Sequence, residues 1–368
     1  MPSVDPSIDL PLARWNPFNH QRLCELLRER GRSSPGYHPE RPPYAVFDWD
    51  NTSVFLDVEE ATLVYQLDRF RFQLTPEAFR DALTCGMPED GEMRELLGDV
   101  VVAYAWLFLR RAAGAPNETL LQSSRHREFR CKLLLLYQRL EEVHGPRIAY
   151  AWMPFRFTGM AAEEVAALTH QAVCWQMEQP IEIVTWRSAE GFDSRTGVVE
   201  TRWRSGLRLL PEMQALYGTL RAEGFDVWVC TASFAEGIRE IASSPTFGYG
   251  LHRDNVIGLQ LETDPEGRFL PVGVGELTYA SGKSEALRRR LLSLYEYGPA
   301  LVAGDSDGDA PMLSDFDDTA ISLTIEVGRP ADSPIGTLIR RAHEERGQPS
   351  ARYLVQHRDE RLGVFQPA

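Results

Sequence analysis

The stretch Tyr44-Ala45-Val46-Phe47-Asp48-Trp49-Asp50-Asn51-Thr52 decides how the rest of the chain is read. Four apolar residues in an unbroken run suit a buried parallel strand, because a strand covered on both faces needs no polar alternation. The run stops at two carboxylates separated by one residue. In an open parallel sheet the carboxyl ends of the strands face the ligand crevice, so Asp48 and Asp50 would both project into it. Two acids so placed can divide a reaction, one attacking and the other handling the leaving group's proton. Taken alone, the motif fits a solvated turn as well.

Two later runs repeat the pattern. Asp226-Val227-Trp228-Val229-Cys230 gives way to Thr231-Ala232-Ser233, which sets hydroxyls at the same edge. Ala300-Leu301-Val302-Ala303 gives way to Gly304-Asp305-Ser306-Asp307-Gly308-Asp309, an acidic cluster suited to a hard cation with oxygen ligands. Between them, Gly282-Lys283-Ser284 opens a helix. Although this triplet also ends a phosphate-binding P-loop, that motif needs a glycine at position 277, where Leu277 stands. Gly273-Val274-Gly275 lacks the third glycine of a dinucleotide fingerprint, and the eight histidines show no metal-ligand spacing.

Helices alternate with these strands. Pro211 opens one whose Met213, Leu216, Tyr217 and Leu220 share a face, with Gly224 as its stop. Leu287, Leu291 and Leu294 mark another. Such alternation implies a parallel sheet with helices on both sides. Residues 57–205 read differently, with helical segments at 76–83, 92–111, 129–143 and 161–176 and a short hairpin at 181–186 and 198–203. A largely helical insertion between the first and second strands is the simplest account. Patterns at 321–327, 335–344 and 352–356 complete the sheet. The expected organisation is a leader over 1–43 with a helix at 19–30, a core of 44–56 and 205–368, and a helical domain over 57–204.

Length and composition agree with a globular protein of two domains, or of one domain with a large insertion. The chain has 368 residues, 43% hydrophobic and 25% charged, with a formal charge of −14. An acidic surface repels phosphate backbones and anionic lipid, so neither nucleic acid nor membrane is an expected partner. Of the 39 basic residues only Lys132 and Lys283 are lysine. Five scattered cysteines, never spaced as CxxC, argue against a disulfide framework or a zinc site and for a reducing compartment. The longest apolar uncharged run, 100–109, is about half the length of a membrane span, and the first residues lack a signal-peptide core. A cytoplasmic protein is expected.

The ordered set of paired carboxylates, hydroxyl, lysine and acidic cluster resembles that of the haloacid dehalogenase superfamily, over residues 44–315. The resemblance implies a HAD-like (Rossmannoid) three-layer α/β/α core with a parallel sheet. It also implies a mainly α-helical cap, similar to the phosphoserine-phosphatase-like branch, between the first and second motif strands. On this resemblance Asp48 is the nucleophile that forms an aspartyl-phosphate and Asp50 the acid–base. Thr231, with Ser233 beside it, binds the phosphate, and Lys283 neutralises charge. Mg²⁺ is held by Asp48, the Asp50 carbonyl, Asp305 and Asp309. Dehalogenating members lack the second aspartate and ion-pumping ATPases carry threonine there, so Asp50 points to phosphoester hydrolysis or phosphoryl transfer. The Asp50 carboxyl is expected to be less exposed and higher in pKa than that of Asp48, which the metal would keep ionised.

A cap that excludes bulk water favours a small phosphomonoester. Asp57, nine residues after Asp48, falls where phosphoserine phosphatases bind the substrate's ammonium group. Arg156 lies near the family's cap arginine, three residues out of register. Five tryptophans of the insertion (Trp106, Trp152, Trp175, Trp186 and Trp203) are either an aromatic cage for a quaternary ammonium, as in the phosphorylcholine phosphatases, or the insertion's own core. The expected function is Mg²⁺-dependent hydrolysis of a phosphoserine-like or phosphocholine/phosphoethanolamine-like monoester. Phosphoryl transfer to an alcohol and non-catalytic binding of a phosphometabolite are the alternatives.

Overall fold

A computed structural model describes residues 8–367; residues 1–7 of the expected leader lie outside them. The chain forms two compact units. One comprises the described residues up to Asp57, Leu207–Gly258 and the chain from Glu276 onward; the other comprises Val58–Gly206 and Leu259–Gly275.

Eight strands make one sheet: β1 (Tyr44–Phe47), β2 (Asp226–Phe234), β3 (Val256–Thr263), β4 (Phe269–Val274), β5 (Leu301–Gly304), β6 (Ile321–Glu326), β7 (Tyr353–Asp359) and β8 (Val364–Phe365). Their order is β8-β7-β6-β5-β1-β2-β3-β4. β1 pairs in parallel with β2 (Tyr44 opposite Asp226) and with β5 (Ala45 opposite Leu301), so the three motif strands lie side by side with their carboxyl ends at one edge. β5–β6 and β6–β7 are also parallel, whereas β7–β8 and β3–β4 are antiparallel. Every residue of β1 and β5 is buried, which is why both read as unbroken apolar runs. The expected α/β class with a mainly parallel sheet is therefore observed.

Helix Pro211–Ala222 follows its spacing, with Met213, Leu216, Tyr217 and Leu220 buried. The helix from Ser281 differs. It widens into a π-turn over Arg288–Leu292, which adds a residue to the turn and shifts the face by one. Leu287 and Leu291 are buried as expected, but Leu294 is 62% exposed and Tyr295 takes the inner place.

The leader docks against β7 of this sheet. Asn16 caps helix Pro17–Arg30 by accepting from Phe18 N and Asn19 N. Its own N–H donates to Gln356 Oε1 at 2.9 Å, and Asn19 Nδ2 donates to Val355 O at 2.8 Å. Trp15 is wholly buried, 5.1 Å from the Phe365 ring.

The second unit is built on helices Val58–Asp68, Pro76–Thr84, Gly91–Ala112, Ser124–His144 and Ala162–Met177. Thr75, Asp90 and Ser123 cap three of them. The expected hairpin forms between Ile183–Arg187 and Glu200–Arg204, with Val184 opposite Trp203. Residues Leu259–Gly275 pack here and not with the remainder of 205–368, because Gly159 N donates to Phe269 O and Phe269 N to Met160 O at 2.8 and 2.9 Å. The core of this unit holds a charged knot around Lys132. Lys132 is fully buried, with Nζ 2.5 Å from Glu128 Oε1 and 2.9 Å from Asp99 Oδ2. Asp99 also accepts from Arg195 N, Thr196 N, Thr196 Oγ1 and Ser194 Oγ, which ties the 194–196 loop to the helices. Among the described residues no helix is long and apolar enough to cross a membrane.

Candidate active site at the carboxyl edge of the sheet

Asp48 follows β1 directly, and its N–H still donates to Ala303 O of β5 at 2.9 Å. The chain then coils on itself: Thr52, Ser53 and Val54 all direct their N–H groups at Trp49 O. Trp49 is wholly buried against Tyr249 and anchors the turn. Asn51, immediately after Asp50, takes a left-handed φ of +59°, a conformation asparagine tolerates better than most residues.

Asp48 is buried at 6% exposure, while Asp50 is only partly buried. This reverses the expected order. Asp48 belongs to the floor formed by the strand ends, and Asp50 sits in the turn beyond the ladder.

Three elements converge on Asp48. Lys283, in the first turn of Ser281–Leu287, donates from Nζ to Asp48 Oδ1 and, at 2.6 Å, to Asp309 Oδ1. Thr52 Oγ1 lies 3.2 Å from Asp48 Oδ2 and 3.4 Å from Asp305 Oδ1. Asp309 is fixed by the loop after β5, since its Oδ2 accepts from Asp305 N, Ser306 N and Ser306 Oγ at 2.8–3.1 Å. Only glycine fits at 304, the last residue of β5, because a Cβ there would stand 2.4 Å from that of Asp309.

Carboxylate oxygens of Asp48, Asp305 and Asp309 lie within 4.8 Å of one another, all buried. Burial pushes the Asp48 carboxyl well above the usual carboxylate range, and Asp309 adds to this against the pull of Lys283. Burial and Asp309 likewise push Asp305 up to about 6, opposed by Arg329 and Arg358. Burial alone would lower the Lys283 ammonium, but Asp309 and Asp48 outweigh it and hold its pKa above the ordinary value. Two of the three buried acids thus share Lys283 and the third pairs with Arg329, and the all-oxygen donor set fits a hard divalent cation.

On the β2 side, the strand continues to Phe234, so Thr231 and Ser233 lie within its final four residues and not in the loop after it. Ser233 Oγ donates to Asp50 Oδ2 at 2.6 Å, and Ser233 N donates to Thr231 Oγ1 at 3.1 Å. Thr231 O in turn accepts from Thr278 Oγ1. Asp48, Asp50, Thr231, Ser233, Lys283, Asp305 and Asp309 are therefore gathered at one edge.

Two arginines at this edge escaped the sequence reading. Arg329, in the loop after β6, donates to Asp305 Oδ2 at 2.7 Å. Arg358, in β7, reaches Asn51. Neither has a local signature among so many arginines. Their placement at the carboxyl ends of β6 and β7 is the signal that could have pointed to them.

The remaining candidates have other surroundings. Asp57 immediately precedes helix Val58–Asp68 and is half-buried. Arg156 lies in the short turn Met153–Phe157 and is 4% exposed. Its Nη1 donates to Glu59 Oε1 and Met153 O, its Nη2 to Glu59 O, and its guanidinium covers the Phe157 ring. The five tryptophans divide. Trp152 is buried with Nε1 on Leu83 O, and Trp106 lies under Arg110. Trp203 stands between Trp175 and Trp186, with centroids 6.3 and 5.5 Å away respectively, and Arg69 lies over Trp175 and Arg130 over Trp186.

Comparison with known proteins is consistent with this architecture. Residues 90–314 match the family model of the haloacid dehalogenase-like hydrolases, which begins beyond Asp48 and Asp50. A phosphorylcholine phosphatase of Pseudomonas aeruginosa is 25% identical over 302 residues, covering 75% of this chain and 72% of that protein. A crystal structure of a conserved protein of unknown function from Anaerococcus prevotii superposes with a TM-score of 0.88 at 28% identity, covering 98% of both chains.

Proposed function

This chain belongs to the haloacid dehalogenase-like hydrolase family, and from that premise we propose that it is a Mg²⁺-dependent phosphatase of small phosphomonoesters. The observation that carries this reading is the buried carboxylate of Asp48, bound by Lys283 and grouped with Asp305 and Asp309, with Asp50 two residues on and held by Ser233.

Asp48 attacks phosphorus from its carboxylate oxygen and the ester P–O bond breaks. Asp50 gives its proton to the departing alkoxide, and the product alcohol leaves. In the second half, Asp50 takes a proton from a water that attacks the aspartyl-phosphate. The acyl–phosphate P–O bond breaks, inorganic phosphate is released and the Asp48 carboxylate returns. Lys283 and the hydroxyl of Thr231 stabilise charge on the non-bridging oxygens. A magnesium ion held by Asp48, Asp305, Asp309 and the Asp50 carbonyl would offset repulsion between the nucleophile and the phosphate.

The relative's substrate supports a cationic phosphomonoester such as phosphocholine. The helical unit, which interrupts the chain between β1 and β2, is read as the cap that limits substrate size.

Asp48→Asn keeps the shape of the side chain and removes the nucleophile. It should abolish turnover of p-nitrophenyl phosphate with an unchanged circular dichroism spectrum, and EDTA should silence the parent enzyme until Mg²⁺ is restored. Substantial activity in Asp48→Asn would overturn the assignment.

A further inference from the structure

Arg358 lies 307 positions from Asn51 in the chain, yet its guanidinium takes both acceptors of that one residue. Nη1 donates to Asn51 O at 2.7 Å and Nη2 to Asn51 Oδ1 at 3.1 Å. The third nitrogen, Nε, donates to Glu360 Oε1 at 2.7 Å, and Cζ of the group lies 4.8 Å from the centroid of the Phe55 ring. The side chain is 1% exposed. A planar fork can meet a carbonyl and a side-chain amide of one residue together, which a lysine ammonium cannot.

The turn after β7 is shaped to hold this side chain in place. Asp359 Oδ1 accepts from Arg361 N and Leu362 N, and Gly363 at φ +65° closes the turn where a Cβ would come 2.8 Å from Phe55. The β7–β8 hairpin is thereby seated on the segment that follows the two aspartates.

We propose that Arg358 is a positioning residue: by gripping Asn51 in its left-handed conformation it fixes the loop that carries Asp48 and Asp50. Asp48 is pinned to β5 and Asn51 to Arg358, so a shift of Asn51 is taken up by the backbone torsions between these two anchors, which set where the Asp50 carboxyl lies relative to Asp48. A displacement of about 1 Å at such a site can cost about 100-fold in rate. Stability alone is a poor reason to bury this cation, because buried charges seldom outperform apolar packing.

The proposal rests on the phosphatase reading for its kinetic arm only. In Arg358→Lys, kcat for p-nitrophenyl phosphate should fall about 10- to 100-fold per folded molecule with KM changed less than about threefold. In Arg358→Ala, millimolar guanidinium should recover part of the loss. Combining Arg358→Lys with Asn51→Ala should be no worse than the more damaging single change. Independently of activity, hydrogen–deuterium exchange at the amides of 51–55 should quicken in Arg358→Lys. Unchanged exchange, or a kcat within about twofold of the parent, would overturn the clamp. An active Asp48→Asn protein would instead sink the phosphatase reading and leave the clamp to be judged by exchange.

Discussion

The hydroxyl of Ser233 donates a 2.6 Å hydrogen bond to Oδ2 of Asp50, joining the end of β2 to the turn after β1. General acid–base catalysis contributes about 10²–10⁴-fold, and an acid that is not aimed loses part of that. Ser233→Ala should therefore lower kcat about tenfold for an alkyl phosphate and less for p-nitrophenyl phosphate, whose leaving group needs little protonation. Rates measured on both substrates decide it. Equal losses would show that Ser233 does not act through Asp50.

Lys283 offers a test of charge shape. Its Nζ fits between Asp48 and Asp309, where a guanidinium fork is too wide. Lys283→Arg should cost at least about 100-fold in kcat, comparable to loss of an electrostatic anchor in the transition state. Lys283→Met leaves two buried carboxylates without their cation, so it should lower unfolding stability by about 3–5 kcal/mol in EDTA. Urea melts at neutral pH measure this, and a loss below about 1 kcal/mol would contradict the pairing.

Asp57 carries the cationic-substrate reading. If its carboxylate meets the substrate's ammonium group, Asp57→Ala should raise KM for phosphocholine and phosphoethanolamine at least about tenfold while leaving phosphoglycolate nearly unchanged. Parallel losses on all three would remove Asp57 from substrate recognition.

In the helical unit, acid should act through Asp99. Burial would raise its pKa, but the bonds from Lys132, Thr196 and Arg195 outweigh burial and hold it below the usual carboxylate range. A depressed folded pKa means stability that is fully present above about pH 4, the unfolded carboxyl's value, and is lost as pH falls toward the folded one. Asp99→Asn should lower the melting temperature at pH 7 and flatten its decline between about pH 4 and 2. A mutant that keeps the parent's acid slope would exclude Asp99 as the source.

How much of this was legible in the sequence depends on the range of the interaction. The three motif strands announced themselves because strands buried on both faces are uninterrupted by polar residues, and each ends where its chemistry begins. The face of the helix from Ser281 was misread at Leu294 because a π-turn leaves no mark in apolar spacing. The β3–β4 hairpin was missed because β4 buries only Phe269 and carries a proline and a glycine in an otherwise apolar run, so no alternation marks it. Arg156 shows another limit. A cationic residue near a motif suggests a ligand, but Glu59, ninety-seven positions away, already engages it. The exposure of Asp48 against Asp50 was read the wrong way round, since sequence spacing cannot reveal where a strand's ladder ends.

Both lysines of the chain are interior, at 0% and 2% exposure. The outer surface of the protein consequently offers no ε-amine. Acylating labels, aldehyde fixatives and lysine-directed conjugation under native conditions have the α-amino group as their remaining amine. A reagent that modifies a lysine here reports unfolding, which makes amine labelling a direct measure of how often either interior opens.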